Sequence, residues 1–280
     1  MNINWYPGHM LKARRLIAEN LKLVDAVIEI IDSRIPLSSR NPDIDEIIGS
    51  KPRIIVLNKC DLADSAATKK WIGFFNNSGM QAVAVDSITG KGLDGVRRGG
   101  DSVLSEKFAR DIKKGIKKQQ PKLMIVGVPN VGKSSFINKF AGRASSQVQD
   151  RPGITKTKQW ISIKGGYHLL DTPGILWPKF DAKTGINLAF TGAIRDQVFD
   201  IIEVAFGLCS FLAQTYPDSI INRYKLSDEL NVDGHEILAQ IGIRRGLLVS
   251  GGEIDLMRAA ETLLDEFRAG KLGRITLEHI

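Results

Sequence analysis

One stretch of this chain places two glycines, a lysine and a hydroxyl side chain at a spacing that suits phosphate binding. The stretch is Gly127-Val-Pro-Asn-Val-Gly-Lys-Ser-Ser135, and it follows the apolar run 122–126. Its pattern, G-x-x-x-x-G-K-S, is that of the phosphate-binding loop, in which a strand turns into a helix and backbone N–H groups converge on phosphate oxygens. In such a loop Lys133 reaches the β- and γ-phosphates, and the Ser134 hydroxyl ligates Mg²⁺. The predicted nucleotide-binding residues are Asn130, Val131, Gly132, Lys133, Ser134 and Ser135.

A second polar motif predicts which base the nucleotide carries. Asn58-Lys-Cys-Asp61 follows the buried run 53–57, and N-K-x-D in this position is typical of GTPases. The Asp61 carboxylate can accept hydrogen bonds from both the ring N1–H and the exocyclic amine of guanine, whereas adenine would leave it unpaired. We expect the Lys59 stem to lie over the base and Asn58 to join this loop to the phosphate loop. Asn58, Lys59, Cys60 and Asp61 are therefore predicted to bind GTP.

A third segment completes the predicted guanine site. The strand 81–85 is followed by Asp86-Ser-Ile88, where GTPases usually carry Ser-Ala-Lys. The contact to guanine O6 in that motif comes from a backbone N–H, so different side chains are compatible with it. Asp86 and Ser87 are therefore included among the predicted GTP-binding residues.

Two segments after the phosphate loop are candidates for nucleotide-sensing switches. Thr155 ends a polar, basic segment, where it would ligate Mg²⁺ and sense the γ-phosphate, although a lone threonine is more often a surface residue. Asp171-Thr-Pro-Gly174 follows the run 167–170. Asp171 would hold Mg²⁺ through water, and the Gly174 N–H would contact the γ-phosphate.

The order of these motifs differs from that of most GTPases. Here the guanine loops precede the phosphate loop, and the switches follow it. The same βα units can build the same sheet after circular permutation, which is tolerated where chain ends lie close together at the surface. The sequence predicts an α/β, circularly permuted P-loop GTPase domain over 1–178, with a mostly parallel sheet flanked by helices. Apolar residues at helical spacing predict a small all-α domain over 179–280.

Local patterns predict further features of the elements. Pro7-Gly8 indicates a turn before a first helix, and 94–120 indicates a basic helix broken at Gly99-Gly100. The runs 159–163 and 167–170 are joined at Gly165-Gly166, which is typical of a hairpin.

Composition bounds the class of protein. The chain has 280 residues, of which 43% are apolar and 25% charged, as in ordinary globular proteins. No apolar run is long enough to predict a membrane span, and the two cysteines fit a reducing cytoplasm. The net charge of +8 is uneven, because 181–280 hold 10 basic and 15 acidic residues and 1–180 hold 29 and 16. The basic part suits a polyanion such as RNA, with solvated helix faces as the alternative.

The chain resembles the ribosome biogenesis GTPase A family. The resemblance runs nearly end to end and rests on the permuted order, Trp5-Tyr-Pro-Gly-His-Met10, the phosphate loop, Asp171-Thr-Pro-Gly174 and the tail 268–278. It implies GTP hydrolysis, with GTP/GDP and Mg²⁺, coupled to a late step of large (50S) subunit assembly in bacteria. It also implies that the precursor subunit and its rRNA are the partners, and that the C-terminal domain binds rRNA. We expect a cytoplasmic monomer.

The residue after D-x-x-G bears on water activation. Many GTPases place glutamine there to orient the attacking water, but this chain has Ile175, so another residue or a partner must do so and intrinsic hydrolysis should be slow. The resemblance implies that the large subunit is the partner that stimulates it. The resemblance points to His9 as the catalytic residue, with packing of the first helix as the alternative. It also suggests that Asn130 supports a bound K⁺. Two other functions stay open: a GTPase partner of a tRNA-modification enzyme, and a non-hydrolysing GTP-binding scaffold.

Overall fold

The computed structural model describes residues 7–116, 120–142, 159–163, 166–177, 179–227, 230 and 233–280. The chain divides into two compact units. One contains the described residues up to Lys179 together with Glu278–Ile280, and the other contains Phe180–Leu277.

The first unit is built on a six-stranded sheet with the order β3-β2-β1-β4-β6-β5. Every neighbouring pair is parallel except β5 and β6, which form an antiparallel hairpin. The central strand β1 is buried along its whole length, which explains its unbroken apolar and β-branched character. The predicted, mostly parallel sheet is thus confirmed. Its strands are β1 Ala26–Asp32, β2 Arg53–Asn58, β3 Gln81–Ala84, β4 Lys122–Val126, β5 Gln159–Ile163 and β6 Tyr167–Asp171.

The strand register brings the functional loops to one edge. Asp32 at the end of β1 pairs with Asn58 at the end of β2, and Ile125 near the end of β4 pairs with Asp171 at the end of β6. The carboxyl ends of these parallel strands therefore lie side by side. In open α/β sheets this edge is where ligands bind.

Helices cover both faces of the sheet. Ile55 packs in a cluster with Trp71 and Phe75 of α3, whereas the adjacent Ile54 faces Gly99 of α4. Successive strand residues point to opposite faces, so α3 and α4 lie on opposite sides. The helices of this unit are α1 Pro7–Leu21, α2 Pro42–Ile48, α3 Ser65–Asn77, α4 Leu93–Val103, α5 Ser105–Lys113 and α6 Lys133–Ala141.

Two local predictions were wrong. Pro7-Gly8 does not form a separate turn, because α1 begins at Pro7, and proline is favoured at the first position of a helix. The helix is not broken at Gly99-Gly100 either, since α4 continues to Val103. A Cβ on Gly100 would lie 3.2 Å from the Tyr167 hydroxyl, so these glycines allow the helix to pack closely on the sheet.

The second unit is helical. Its α-helices are α7 Ala182–Phe190, α8 Ile201–Thr215, α9 Pro217–Tyr224, α10 Gly234–Arg244 and α11 Leu256–Arg268. Four of them begin after an aspartate whose carboxylate accepts a backbone N–H of the first turn, which satisfies donors left open at a helix start. The predicted apolar stripe of α11 forms its buried face, consisting of Ala259, Ala260, Leu263, Leu264 and Phe267.

The last three residues belong to the unit that contains the sheet. The Glu278 carboxylate accepts the Leu37 N–H at 2.6 Å and the Ser38 N–H at 3.0 Å, and it also accepts the Ser38 hydroxyl. The Trp71 indole N–H donates to the Glu278 backbone oxygen at 2.9 Å. Glu278 thus joins the loop after β1 to α3.

We expect Glu278→Ala to lower the free energy of unfolding by about 2–4 kcal/mol, because it leaves the buried Ser38 N–H and hydroxyl, and the partly buried Leu37 N–H, without a charged acceptor. Chemical denaturation of the variant beside Glu261→Ala, which removes an exposed glutamate, measures this difference. Equal stability of the two variants would contradict the assigned role of the carboxylate.

Candidate functional site

The phosphate loop connects β4 to α6 through backbone conformations that suit glycine. Gly132 has φ +91°, and Asn130 also lies in the left-handed region at φ +59°. A Cβ on Gly127 would overlap the Ile30 carbonyl oxygen, so only glycine fits beside β1. Helix α6 begins at Lys133 without a side-chain cap in the described residues. Its first N–H groups can therefore serve an anion.

Lys133 lies over its own loop. The Nζ atom donates to the carbonyl oxygens of Gly127 and Val128, at 3.0 and 2.7 Å. Burial lowers the pKa of this ammonium to about 8, although the negative charge of Asp171 opposes the shift. Burial also raises the pKa of Asp171, an effect that Lys133 counteracts.

This shift makes a prediction for the pH dependence of nucleotide affinity. A nucleoside diphosphate such as GDP binds better to the charged ammonium. Above pH 8 the free protein must therefore take up a proton on Lys133 in order to bind GDP. We expect GDP affinity to fall by up to about tenfold per pH unit above pH 8. In the nucleotide-free protein, burying the charged Lys133 destabilises the fold below pH 8. This cost disappears as the pH rises from 8 to the ordinary pKa of 10.5, since the unfolded chain binds more protons in that range.

Calorimetric titrations with GDP at pH 7, 8 and 9, in two buffers with different heats of ionisation, measure both the affinity and the proton uptake. Lys139→Met removes an exposed lysine of the same helix and is the matched control. A flat affinity across this range would contradict the lowered pKa of Lys133.

The D-x-x-G turn lies directly against the phosphate loop. The Ile175 N–H donates to the Gly127 oxygen at 3.3 Å, and the Thr172 hydroxyl donates to Ile125 at 2.6 Å. A Cβ on Gly174 would lie 2.8 Å from Lys133 Nζ and 3.0 Å from backbone atoms of Pro129. A larger residue here would therefore displace the Lys133 ammonium or the phosphate loop. The Gly174 N–H lies beside the lysine that would hold the terminal phosphates.

The donor set around this turn fits Mg²⁺ held together with a nucleotide. The Ser134 hydroxyl and the Asp171 carboxylate are oxygen donors, and Mg²⁺ is bound by one or two such protein groups plus water and phosphate oxygens. Ser134 is exposed at the first turn of α6, and Asp171 is partly buried at the end of β6. Thr155, the other predicted Mg²⁺ ligand, lies outside the described residues.

Ile175 is turned into the core. Its side chain is 7% exposed and packs in an apolar cluster with Ile17 of α1, Val126 of β4 and others. Its carbonyl oxygen accepts the Asn41 amide at 3.4 Å. This side chain therefore neither orients water nor faces the phosphate site. His9 lies within α1, but its side chain is not among those that the structure describes.

Asn58 joins three loops. Its Nδ2 donates to the Val131 oxygen of the phosphate loop at 2.7 Å, and its Oδ1 accepts the Ser87 hydroxyl at 2.7 Å. A Cβ on Gly132 would overlap the same Nδ2. Both guanine-reading segments are thus held against the phosphate loop by one buried amide.

Lys59 makes a second connection to the phosphate loop. It has φ +57°, and its Nζ donates to the Asn130 carbonyl at 2.6 Å while lying 3.0 Å from an Asp32 oxygen. Burial lowers the pKa of Lys59, and Asp32 opposes this shift. The Cys60 N–H donates to Val85, which joins the loop to the end of β3, and the Asp61 side chain is exposed.

In the segment after β3, Asp86 has a structural role and Ser87 is a candidate contact to the base. The Asp86 carboxylate accepts the N–H groups of Ile88 and Thr89, and the Asp86 N–H donates to the Lys91 oxygen at 3.0 Å. Within the part of the chain that the structure describes, the Ser87 N–H has no such partner. Among the three N–H groups of the segment 86–88, which is predicted to supply the contact to guanine O6, that of Ser87 is therefore the available donor.

Asp32 and Arg34 lie beside the site although neither was predicted to belong to it. Both side chains are almost fully buried and form an ion pair at 2.8 Å, adjacent to Lys59. The available signal was the charged Asp32-Ser-Arg34 segment directly after the most buried strand.

This fold and these three connected loops define a P-loop GTPase domain whose guanine-reading loops precede the phosphate loop along the chain. Residues 122–227 match the family described as 50S ribosome-binding GTPase. The chain belongs to the ribosome biogenesis GTPase A family.

Relatives across nearly the whole chain support this assignment. The chain is 47% identical over 279 residues to ribosome biogenesis GTPase A of Bacillus cereus, covering 99% of this chain and 94% of that protein. The protein of the same name from Thermotoga maritima is 34% identical over 287 residues, with 99% and 94% coverage. The solved GDP-bound structure of TM YlqF superposes with a TM-score of 0.69 at 29% identity, covering 95% of this chain and 99% of that one.

Proposed function

We propose that this protein hydrolyses GTP to drive a late step of large (50S) subunit assembly, bound to the precursor subunit and its rRNA in the cytoplasm as a monomer. The observation that carries the proposal is the Asn58 amide, which holds both guanine-reading loops to the phosphate loop. This contact supports one continuous GTP site in spite of the permuted order. The family of the chain supports the ribosomal partner.

In this proposal, each residue of the site has a separate role. Asp61 accepts from guanine, the Ser87 N–H donates to O6, and Lys59 spans the base and the phosphate loop. Lys133 and the N–H groups of the loop and of α6 hold the phosphates. Ser134, Thr155 and Asp171 would hold Mg²⁺, which would offset the negative charge of the phosphates. The GTP-binding set is Asn58, Lys59, Cys60, Asp61, Asp86, Ser87, Asn130, Val131, Gly132, Lys133, Ser134, Ser135, Thr155 and Gly174.

Water activation requires a group other than the residue after D-x-x-G. The Ile175 side chain is buried in the core and cannot orient water. Its position supports slow turnover by the protein alone and stimulation by the large subunit. His9, on the first helix, supplies the imidazole that orients water or accepts its proton. Asn130 supports a K⁺ ion. Equal hydrolysis rates in potassium and sodium buffers would contradict that part of the proposal.

Exposed cations on α5 support an RNA partner. No side chain of this helix is buried, and Arg110, Lys113 and Lys114 form no ion pair with the described residues. Such cations can contact RNA phosphates without first breaking an ion pair within the protein. In the helical domain 179–280, which carries net negative charge, rRNA contacts come from local basic groups such as Arg244.

Depletion of the protein in cells tests the assembly role. Sucrose gradients should then show an immature large-subunit particle with the small subunit unaffected, and a plasmid copy should restore the mature particle. Normal subunit profiles together with loss of a tRNA modification would favour a role beside a tRNA-modification enzyme.

The buried Ile175 gives specific support to one alternative, a GTP-binding scaffold that does not hydrolyse GTP. Normal assembly supported by a His9→Ala variant without turnover would favour that alternative.

A further inference from the structure

We propose that Arg34 and Asp32 are positioning residues for the guanine site, because they fix the ammonium of Lys59 against the phosphate loop before nucleotide binds. The inference rests on the proposed function, since it assigns a role within the same GTP site. Asp32 lies between the Arg34 guanidinium and the Lys59 ammonium and contacts both.

A continuous chain of polar contacts leads from Arg34 to the phosphate loop. The Arg34 guanidinium donates to both Asp32 oxygens, from Nε at 2.9 Å and from Nη2 at 2.8 Å. The Asp32 Oδ2 atom lies 3.0 Å from Lys59 Nζ, which donates to the Asn130 carbonyl at 2.6 Å. Because a two-pronged pair fixes direction as well as distance, the Asp32 carboxylate is held in one orientation toward Lys59.

The surrounding loop holds this pair in place. The Arg34 N–H also donates to Asp32 at 3.0 Å, and the Asp32 N–H donates to the Ser39 hydroxyl at 3.0 Å. Ser39 in turn donates to the Ile35 carbonyl at 2.7 Å. These hydrogen bonds within the loop therefore hold Asp32 and Arg34 together.

The charge of the group favours a role toward an anion. The side chains of Arg34 and Asp32 are 1% and 2% exposed, and a buried ion pair is costly unless further hydrogen bonds compensate it. Two cations, Arg34 and Lys59, share the single Asp32 carboxylate. The Lys59 ammonium, on which the Asp61 carboxylate also acts, contacts the loop that would hold phosphates, where a positive charge favours an anionic ligand.

A second buried ion pair on the same strand provides a comparison. Glu29 of β1 is buried and pairs with Arg40 and Arg53 at 3.1 and 3.0 Å. Its partners connect to Asp45 of α2 and not to the guanine or phosphate loops in the described residues. A pair with a structural role alone is thus available as a matched control.

A double-mutant cycle tests the inference. We expect Arg34→Met to weaken the affinity for a fluorescent GDP analogue about tenfold to thirtyfold, and Arg34→Lys to retain part of it. In a Lys59→Met background the same Arg34→Met change should have no further effect on GDP affinity, because the ammonium through which Arg34 acts on the site has been removed. Glu29→Gln should lower the melting temperature without changing GDP affinity. Thermal unfolding shows whether each variant is folded.

The outcomes separate the two proposals. Equal effects of Arg34→Met with and without Lys59, or an affinity loss in Glu29→Gln as large as in Arg34→Met, would overturn the positioning role. If Arg34→Met does not fold, the paired apolar replacement Asp32→Leu/Arg34→Met substitutes for it, and unchanged GDP affinity in that variant would overturn the role as well. If the wild-type protein binds no guanine nucleotide, the proposed function itself is wrong.

Discussion

Asp61→Asn is expected to lower GTP affinity by about 10³-fold to 10⁴-fold and to raise affinity for xanthosine triphosphate. The carboxylate accepts two donors from guanine, whereas an amide offers one acceptor and sets its own NH₂ against the exocyclic amine. Xanthine carries a carbonyl in place of that amine, so the amide can donate to it and accept from N1–H. The exposed position of Asp61 lets the substitution act on the base without disturbing the core.

Competition of each triphosphate against a fluorescent GDP analogue measures this exchange of specificity. Asp64→Asn is the matched control. Asp64 lies three residues after Asp61 and is the N-cap of α3, a position at which asparagine is as favourable as aspartate. We expect the control to bind GTP like the wild type. A GTP affinity for Asp61→Asn within a few-fold of the control would contradict guanine recognition by this loop.

Gly132→Ala is expected to lower GDP affinity at least about 100-fold and to destabilise the fold by about 3 kcal/mol. Gly132 has φ +91°, and an added Cβ would overlap the Asn58 amide that joins the guanine loop to the phosphate loop. The substitution must therefore either strain the backbone or break that connection. Both outcomes move the N–H groups that would hold phosphate.

The same helix offers a control that separates backbone strain from the clash. Gly142 ends α6 with φ +67°, and no atom lies within 4 Å of the position of an added Cβ. Gly142→Ala should cost about 1 kcal/mol and leave GDP affinity unchanged. Denaturation and GDP titration of both variants measure the difference. Similar behaviour of the two variants would contradict the role given to the Asn58 contact.

Much of the domain could be predicted from sequence because its signals are local. The β-branched runs that form β1 and β2, and the glycines and lysine of the phosphate loop, each occupy a short window. The contact between Asn58 and Val131 spans 73 residues, yet it could be expected because both motifs belong to one kind of site.

Other features depend on contacts that no local pattern encodes. Arg34 lies two residues after Asp32 in the sequence, but only the pairing of β1 with β2 brings Asp32 and Arg34 beside Lys59. Glu278 meets Leu37 across 241 residues. Gly99 and Gly100 indicate a helix break locally, but packing against the sheet overrides that preference.

GTP turnover in potassium buffer, by the protein alone, with small subunits and with large subunits, tests the central claim most directly. We predict slow turnover by the protein alone, no change with small subunits, and strong stimulation by large subunits that is lost in His9→Ala. Equal, slow turnover under all three conditions would contradict the large-subunit assignment, whereas the GTP site would still be tested by Asp61→Asn.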